Sequence, residues 1–254
     1  MKVHKILKNT SFVGLLTLSA VLSNAFITKR WNLKDVAIRP VESPRKLSRE
    51  TYSRQLSKLR NEFGGNKHIA SEVELECLAA LSFYPELKDT RIIFDHQEIA
   101  FTMQTQPRLD FLYKNKKGRS YCITINSNKG NRKGLAVSEL SFSAVAGWIG
   151  HELAHIADYE RLNAVGILGY ATNYLLAAPH RWIERRTDEI AIQHGLGYPL
   201  LEGVEYLLRH TKADKAYKQG LIDNYLSPQE ILLEIRKRQP QAVEAEDAVS
   251  HIEF

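Results

Sequence analysis

The stretch Gly150-His151-Glu152-Leu153-Ala154-His155 sits inside an apolar-periodic run that includes Phe142, Val145, Ile149, Leu153 and Ile156. The run predicts a helix over about 141–160. On it His151 and His155 stand one turn apart, so both imidazoles project from the same side and can bind one ion. Glu152 lies beside them, able to reach a metal-bound water but poorly placed to displace a histidine as ligand. The bland alternative is two histidines hydrogen-bonded within a packed helix. The apolar flanks favour the metal reading, because the motif's mechanism places it on such a helix.

The chemistry that such a site supports is amide hydrolysis. Zinc lowers the pKa of its water toward about 7, a neighbouring carboxylate takes the proton, and the metal polarises the carbonyl. A zinc ion needs a third protein ligand and an open fourth position. Asp158 shares the histidines' face, but at 1.5 Å rise per residue a straight helix carries it about 10 Å from His151. No glycine follows at the spacing that would break the helix and return a third histidine. The better source is His180-Arg181-Trp182-Ile183-Glu184-Arg185-Arg186-Thr187-Asp188, where Glu184 and Asp188 are again one turn apart on a predicted helix. One carboxylate can reach the metal, and the other can accept a hydrogen bond from the far nitrogen of a ligand histidine. Taken alone, the pair reads as a solvated face among arginines; the upstream histidine motif reverses that preference.

His151-Glu152-x-x-His155 followed by Glu184-x-x-x-Asp188 resembles the gluzincin metallopeptidases, and the layout is similar to minigluzincins and to CaaX-protease-like and heat-shock-protease-like membrane peptidases. The resemblance is specific over about 139–192 and extends in organisation over about 70–238. It implies an α+β, zincin-like fold in which a small, mostly antiparallel sheet of three to four strands packs on the active-site helix. A helical C-terminal half follows. It also implies Zn2+ as cofactor with Glu184 as third ligand, Glu152 as general base and Asp188 as partner of a ligand histidine. An edge strand would lie over the cleft and pair with extended peptide or unfolded protein substrate. By position that edge is the strand ending near Asn126, or the short Leu135–Val137 segment.

At 254 residues and 44% apolar content, the chain has room for one sizeable domain plus an extension. Lys2, Lys5 and Lys8, the apolar run Ser11–Val21, and the small residues Ser23 and Ala25 read as a signal peptide over 1–25. The alternative is an uncleaved N-terminal anchor, but the run falls short of the roughly 20 residues that span a bilayer. Export to the periplasm or exterior is the expectation. Removing the three lysines from the formal charge of +6 leaves +3, and no basic stripe interleaved with aromatics occurs. Nucleic-acid binding is therefore not expected. Cys77 and Cys122 lack a CxxC spacing, and could pair or stand as separate thiols.

Residues 26–69 read as an N-terminal extension carrying a surface helix over about 45–63. The catalytic domain follows over 70–238, with a polar tail over 239–254. Ser71 and Glu74 suggest a capping box opening a helix over about 72–82. Runs of period two at 92–94, 99–103, 109–113 and 121–125 predict strands, the last two joined as a hairpin by the turn at Asn115–Gly118. Helices are expected near 163–178, 180–194, 200–210 and 228–238, the last opened by the capping box of Ser227 and Glu230. The uncharged Leu162–Pro179 segment is interrupted by Asn163, Thr172 and Asn173, which favours a buried or cleft-lining helix over a membrane-surface hairpin. Tyr170, Tyr174, His180, His194, Tyr198 and His210 could each donate to a developing oxyanion, and the sequence does not choose among them. The competing functions are a zinc endopeptidase, a non-catalytic binding or assembly module of the same fold, and a metal-free helical scaffold. Glu152 beside an open coordination position favours the first.

Overall fold

The computed structural model describes residues 43–127, 134–174, 176–209 and 213–239. The expected signal peptide, His210 and residues 240–254 of the expected tail lie outside them. The chain is α+β, with a four-stranded sheet followed by a helical C-terminal half. Its elements are α1 (Arg49–Arg54), α2 (Leu56–Phe63), β1 (Lys67–Ile69), α3 (Glu74–Leu81), β2 (Arg91–Gln97), β3 (Met103–Pro107) and β4 (Ser120–Asn126). There follow α4 (Phe142–Arg161), α5 (Ala164–Tyr174), α6 (Ala177–Ala191), α7 (Gly197–Arg209), α8 (Lys215–Asn224) and α9 (Pro228–Arg238).

The strand order is β1-β2-β4-β3, with β1–β2 and β2–β4 parallel and only β3–β4 antiparallel. The expectation of a mostly antiparallel sheet is therefore corrected to a mixed one. Strands that follow one another need not pair: the chain leaves β2, forms β3 at the edge, and returns β4 between the two. Ile92, Phe94, Tyr121, Ile123 and Ile125 alternate onto one buried face, as period two requires.

The expected strand at 109–113 is a 3-10 helix, Leu109–Leu112, and the hairpin into β4 has β3 as its first strand, with 108–119 as its loop. Asp110 explains the change, since its carboxylate accepts from the Ser120 backbone N–H (3.2 Å) and the Ser120 hydroxyl (2.5 Å), curling the segment back on itself. Of the expected 99–103 strand only Met103 falls within β3, which runs on to Pro107. The helix over 45–63 is broken at Gln55 into α1 and α2, with Leu47, Leu59 and Phe63 in the core. The Ser71 capping box does not form. Ser71–Val73 is a 3-10 turn, and α3 opens at Val73 without a side-chain cap. At Ser227 both hydrogen bonds of the box are present.

α4 is the axis of the core, buried for most of its length between α3, α6, α7 and β3. Tyr84, fully buried, donates its hydroxyl to the Gly150 carbonyl at 2.6 Å and fixes α4 against the preceding layer. Gly147 permits close approach of α7, for a Cβ built there would lie 2.3 Å from the Pro199 carbonyl carbon. α6 runs into α7 through a π-helical turn, Ile192–Leu196, where Gly195 adopts φ 90, a value that glycine tolerates best. Because backbone cannot yield as a side chain would, Gly147→Ala is expected to destabilise the fold by about 1–3 kcal/mol. Gly220→Ala in α8, with nothing within 4 Å of the added carbon, is expected to stabilise by up to about 1 kcal/mol. Denaturant midpoints of the two variants check the contrast.

Candidate metal centre

His151 and His155 face α6, where Glu184 and Asp188 project from successive turns into the same buried space. Glu184 Oε2 lies 3.1 Å from His151 Nε2 and 3.7 Å from His155 Nε2. The ligand atoms of the three residues all fall within 4.8 Å of one another. Tetrahedral coordination with bonds of about 2.0–2.1 Å places ligand atoms roughly 3.3 Å apart, so the spacing suits a single small cation.

The outer nitrogens of both imidazoles are held. His151 Nδ1–H donates to Asp188 Oδ1 at 2.8 Å, and Asp188 Oδ2 accepts from the Leu226 backbone N–H at 2.8 Å. His155 Nδ1 lies 3.1 Å from the Tyr170 hydroxyl and 3.3 Å from Thr187 Oγ1. Thr187 gives its own proton to the Ile183 carbonyl at 2.9 Å, so toward His155 it accepts. Both rings thereby turn Nε2 toward Glu184; His151 Nε2–H donates to Glu184 Oε2 at 3.1 Å, the place that a cation would take. The other oxygen, Glu184 Oε1, is buried and makes no hydrogen bond; His180 Nε2 is 3.2 Å away, within ion-pair distance but not aligned as a donor. A buried carboxylate with one oxygen lacking a hydrogen bond, beside two oriented imidazoles, fits a cation.

Burial opposes a charged His151, yet Asp188 and Glu184 together hold its pKa well above the ordinary histidine value. Burial likewise opposes ionised Glu184, but His155, His151 and His180 outweigh it and keep the carboxyl well below the usual range. A metal ion must displace the His151 proton, so its uptake releases protons and its affinity rises with pH. Glu152 is buried next to the cluster, and that burial lifts its carboxyl above the ordinary range against the pull of His151 and His155.

A cavity of about 430 Å³ opens over these groups, lined by Glu152, His155 and His180 and by the aromatic rings of Trp148, Tyr159, Tyr170, Tyr174, Tyr217 and Tyr225. Its far wall is β3, with Phe101 and Thr102 before it. This corrects the expected edge: β4, ending at Asn126, is paired on both sides, and Val137–Glu139 is a 3-10 turn. Among the described residues β3 pairs with β4 alone, which makes it an edge of the sheet. Asn126 N–H to Thr102 O (3.0 Å) and Arg108 N–H to Ser120 O (2.9 Å) fix the even-numbered positions as those bonded to β4. The alternation turns the N–H and C=O of Met103 and Thr105 away from it. The Thr105 hydroxyl donates to the Glu152 carbonyl at 3.2 Å, tying the edge strand to the histidine helix.

Asp158, excluded from the metal by its distance along the helix, has a different role. It is 1% exposed and pairs with buried Arg186 at 3.1 Å, joining α4 to α6. Among the candidate oxyanion donors, Tyr170, Tyr174 and His180 line the cavity, and Tyr174 and His180 contact each other with ring centroids 4.2 Å apart. His194 lies elsewhere, stacked on Tyr84 and 2.8 Å from Glu86, and Tyr198 meets Gln239. Sequence reasoning missed Thr105, Thr187, Tyr217 and Tyr225. Thr187 had a signal, lying between Glu184 and Asp188 one turn after Ile183; Tyr217 and Tyr225 arrive with α8 and the turn after it. Cys77 is buried and Cys122 half-buried, and both are free thiols.

No family model, curated protein or solved structure matches this chain.

Two substitutions separate support from ligation. Asp158→Ala leaves Arg186 without this buried partner and should cost about 3–5 kcal/mol of stability while folded protein keeps its metal. Asp188→Asn should spare most of the stability and lower metal affinity about 10–100-fold. Unfolding curves and metal titrations on each variant check both.

Proposed function

We propose that this chain is a zinc-dependent metalloendopeptidase of the gluzincin type, with a zincin-like catalytic unit over about 70–238. In this reading His151, His155 and Glu184 hold Zn2+, Asp188 orients His151, and Glu152 is the general base. The observation that carries it is the meeting of His151 and His155 from α4 with Glu184 from α6 in one buried cluster, below a cavity walled by an open strand edge. Two imidazoles and one carboxylate are a donor set suited to zinc with a position left for water.

Bound zinc would supply Lewis acidity, making a water ligand acidic and polarising a scissile carbonyl. The remaining work falls to the chain. An extended peptide pairs with the outward N–H and C=O groups of Met103 and Thr105, giving affinity through backbone with modest sequence selectivity. Pro107 ends the ladder, having no N–H to offer. The Glu152 carboxylate takes the proton of the attacking water and returns it to the leaving amide nitrogen; a carboxyl raised by burial suits that double role. The aromatic walls keep bulk water from the reacting groups. The substrates that fit are extended peptides or unfolded protein, and the signal-peptide pattern of 1–25 assigns the activity to the outside of the cytoplasm, or to a membrane tether if that segment stays uncleaved.

Metal quantification and a peptide-library cleavage assay test the proposal on wild type, Glu152→Gln and Glu184→Ala. Wild type is expected to carry one zinc and to cleave. Glu152→Gln should keep the zinc and lose about 10²–10⁴-fold in kcat. Glu184→Ala should release zinc under mild chelation and lose activity in parallel. Zinc bound as tightly in Glu184→Ala as in wild type would remove the third ligand and the assignment with it.

A further inference from the structure

Beside the cleft lies a surface that the catalytic reading does not use. α5 turns Ile167, Tyr170 and Asn173 inward and exposes Val165 (70%), Leu168 (45%) and Ala171 at intervals of three residues, with Tyr174 and Leu176 following. Next to its start stands the 3-10 segment after β3, whose Leu109 (75%), Leu112 (54%) and Tyr113 (78%) are also exposed. Two hydrogen bonds tie the residues after that segment to the end of α4, just before α5: Arg119 donates to the Leu162 carbonyl at 2.7 Å and Lys116 to the Arg161 carbonyl at 3.3 Å.

Charge distinguishes this patch from other exposed apolar residues. Ile222 and Leu233 are also exposed, but each adjoins an acid, Asp223 or Glu234. Between Arg161 and Arg181 the sequence holds no Asp or Glu. Between Arg108 and Arg119 the only acid is Asp110, which is buried and engaged by Ser120 and Lys114. Arg108, Lys116, Lys117 and Arg181 are exposed and form no ion pair among the described residues, and Arg161, also exposed, adds its charge within reach of Asp158 and Glu86. Apolar residues at the centre with cations at the rim match the interface of an anionic bilayer, where side chains enter the acyl boundary and lysines and arginines meet headgroups. α5 has 11 residues, and among the described residues no helix is long and apolar enough to cross a membrane, so the geometry is that of a surface lying on the bilayer.

We propose that the face formed by Leu109, Leu112, Tyr113, Val165 and Leu168 with its basic rim binds an anionic membrane surface. Ala171 and Tyr174 line the cavity from α5 and Pro107 from β3, so the bound face adjoins the cleft. Membrane binding is independent of zinc and of Glu152, so its failure leaves the peptidase reading untouched, and the converse.

The test is vesicle co-sedimentation of the full chain, using phosphatidylcholine alone or with one-third phosphatidylserine. Wild type is expected to bind the anionic vesicles, to bind less as salt is raised, and to bind neutral vesicles weakly. Three sets of changes, Leu109→Ser/Leu112→Ser/Tyr113→Ser, Val165→Ser/Leu168→Ser and Lys116→Glu/Lys117→Glu, should each lower binding about tenfold or more. Residues 1–25 are common to all these chains and cannot produce the difference. Hydrogen exchange of wild type, which needs no variant to fold, should show vesicle-dependent protection at 109–113 and 164–174. Binding unchanged in the variants, no protection in either segment, or self-association without vesicles that these substitutions abolish would overturn the proposal; the last would make a second copy of the chain the occupant.

Discussion

Glu184 is wholly enclosed, and the contact between α4 and α6 is built around its charge. An isolated buried carboxylate is too costly to keep ionised without partners. Here each ionisable group at the contact has a counterpart: Glu184 faces His151, His155 and His180, Asp188 holds His151 and the Leu226 N–H, and Asp158 pairs with Arg186. These pairings contribute less to net stability than to fixing one register of α4 against α6, because a shift of one turn would leave several buried charges unmatched at once. A cation among the three ligand atoms matches the same logic, since it would set its charge against Glu184 Oε2 between the two Nε2 atoms.

The rest of the fold delivers that contact to a cleft. Gly147 lets α7 press on α4 from behind, Tyr84 caps the Gly150 carbonyl, and the Thr105 hydroxyl sets β3 at a fixed distance from the Glu152 turn. The edge strand, the buried carboxylate and the candidate metal ligands are thereby held by packed elements and not by loops, the condition for preorganised chemistry. α8 completes the cavity with Tyr217, whose hydroxyl is 2.9 Å from Thr102 Oγ1 and accepts from the Thr102 N–H at 3.2 Å.

The candidate metal centre was legible because its parts lie on helices, where a spacing of four residues translates directly into one face. His151 and His155, then Glu184 and Asp188, needed no knowledge of tertiary structure beyond the meeting of two helices. The capping box at Ser227 was legible for a similar local reason, whereas the same pattern at Ser71 failed because the chain enters a 3-10 turn first. Sheet order was not legible. β1 has three residues, too few to give a period, and parallel pairing of β2 with β4 is decided by long-range packing that no local pattern records. Leu109, Phe111 and Tyr113 alternate as a strand would, but Asp110 captures Ser120 and winds the segment into a turn. α8 had an overlooked signal: Asp214 caps it through Ala216 and Tyr217, and Tyr217 and Leu221 are spaced for one face.

The claim at the centre of this account is that α4 and α6 together form one zinc site, and the coordination shell of the metal addresses it directly. X-ray absorption at the zinc edge of the purified full chain is expected to show a single four-coordinate ion with nitrogen and oxygen neighbours at about 2.0–2.2 Å and the multiple-scattering signature of two imidazoles. A protein that takes up no zinc when reconstituted, or a shell containing sulfur at about 2.3 Å or only one imidazole, would contradict it.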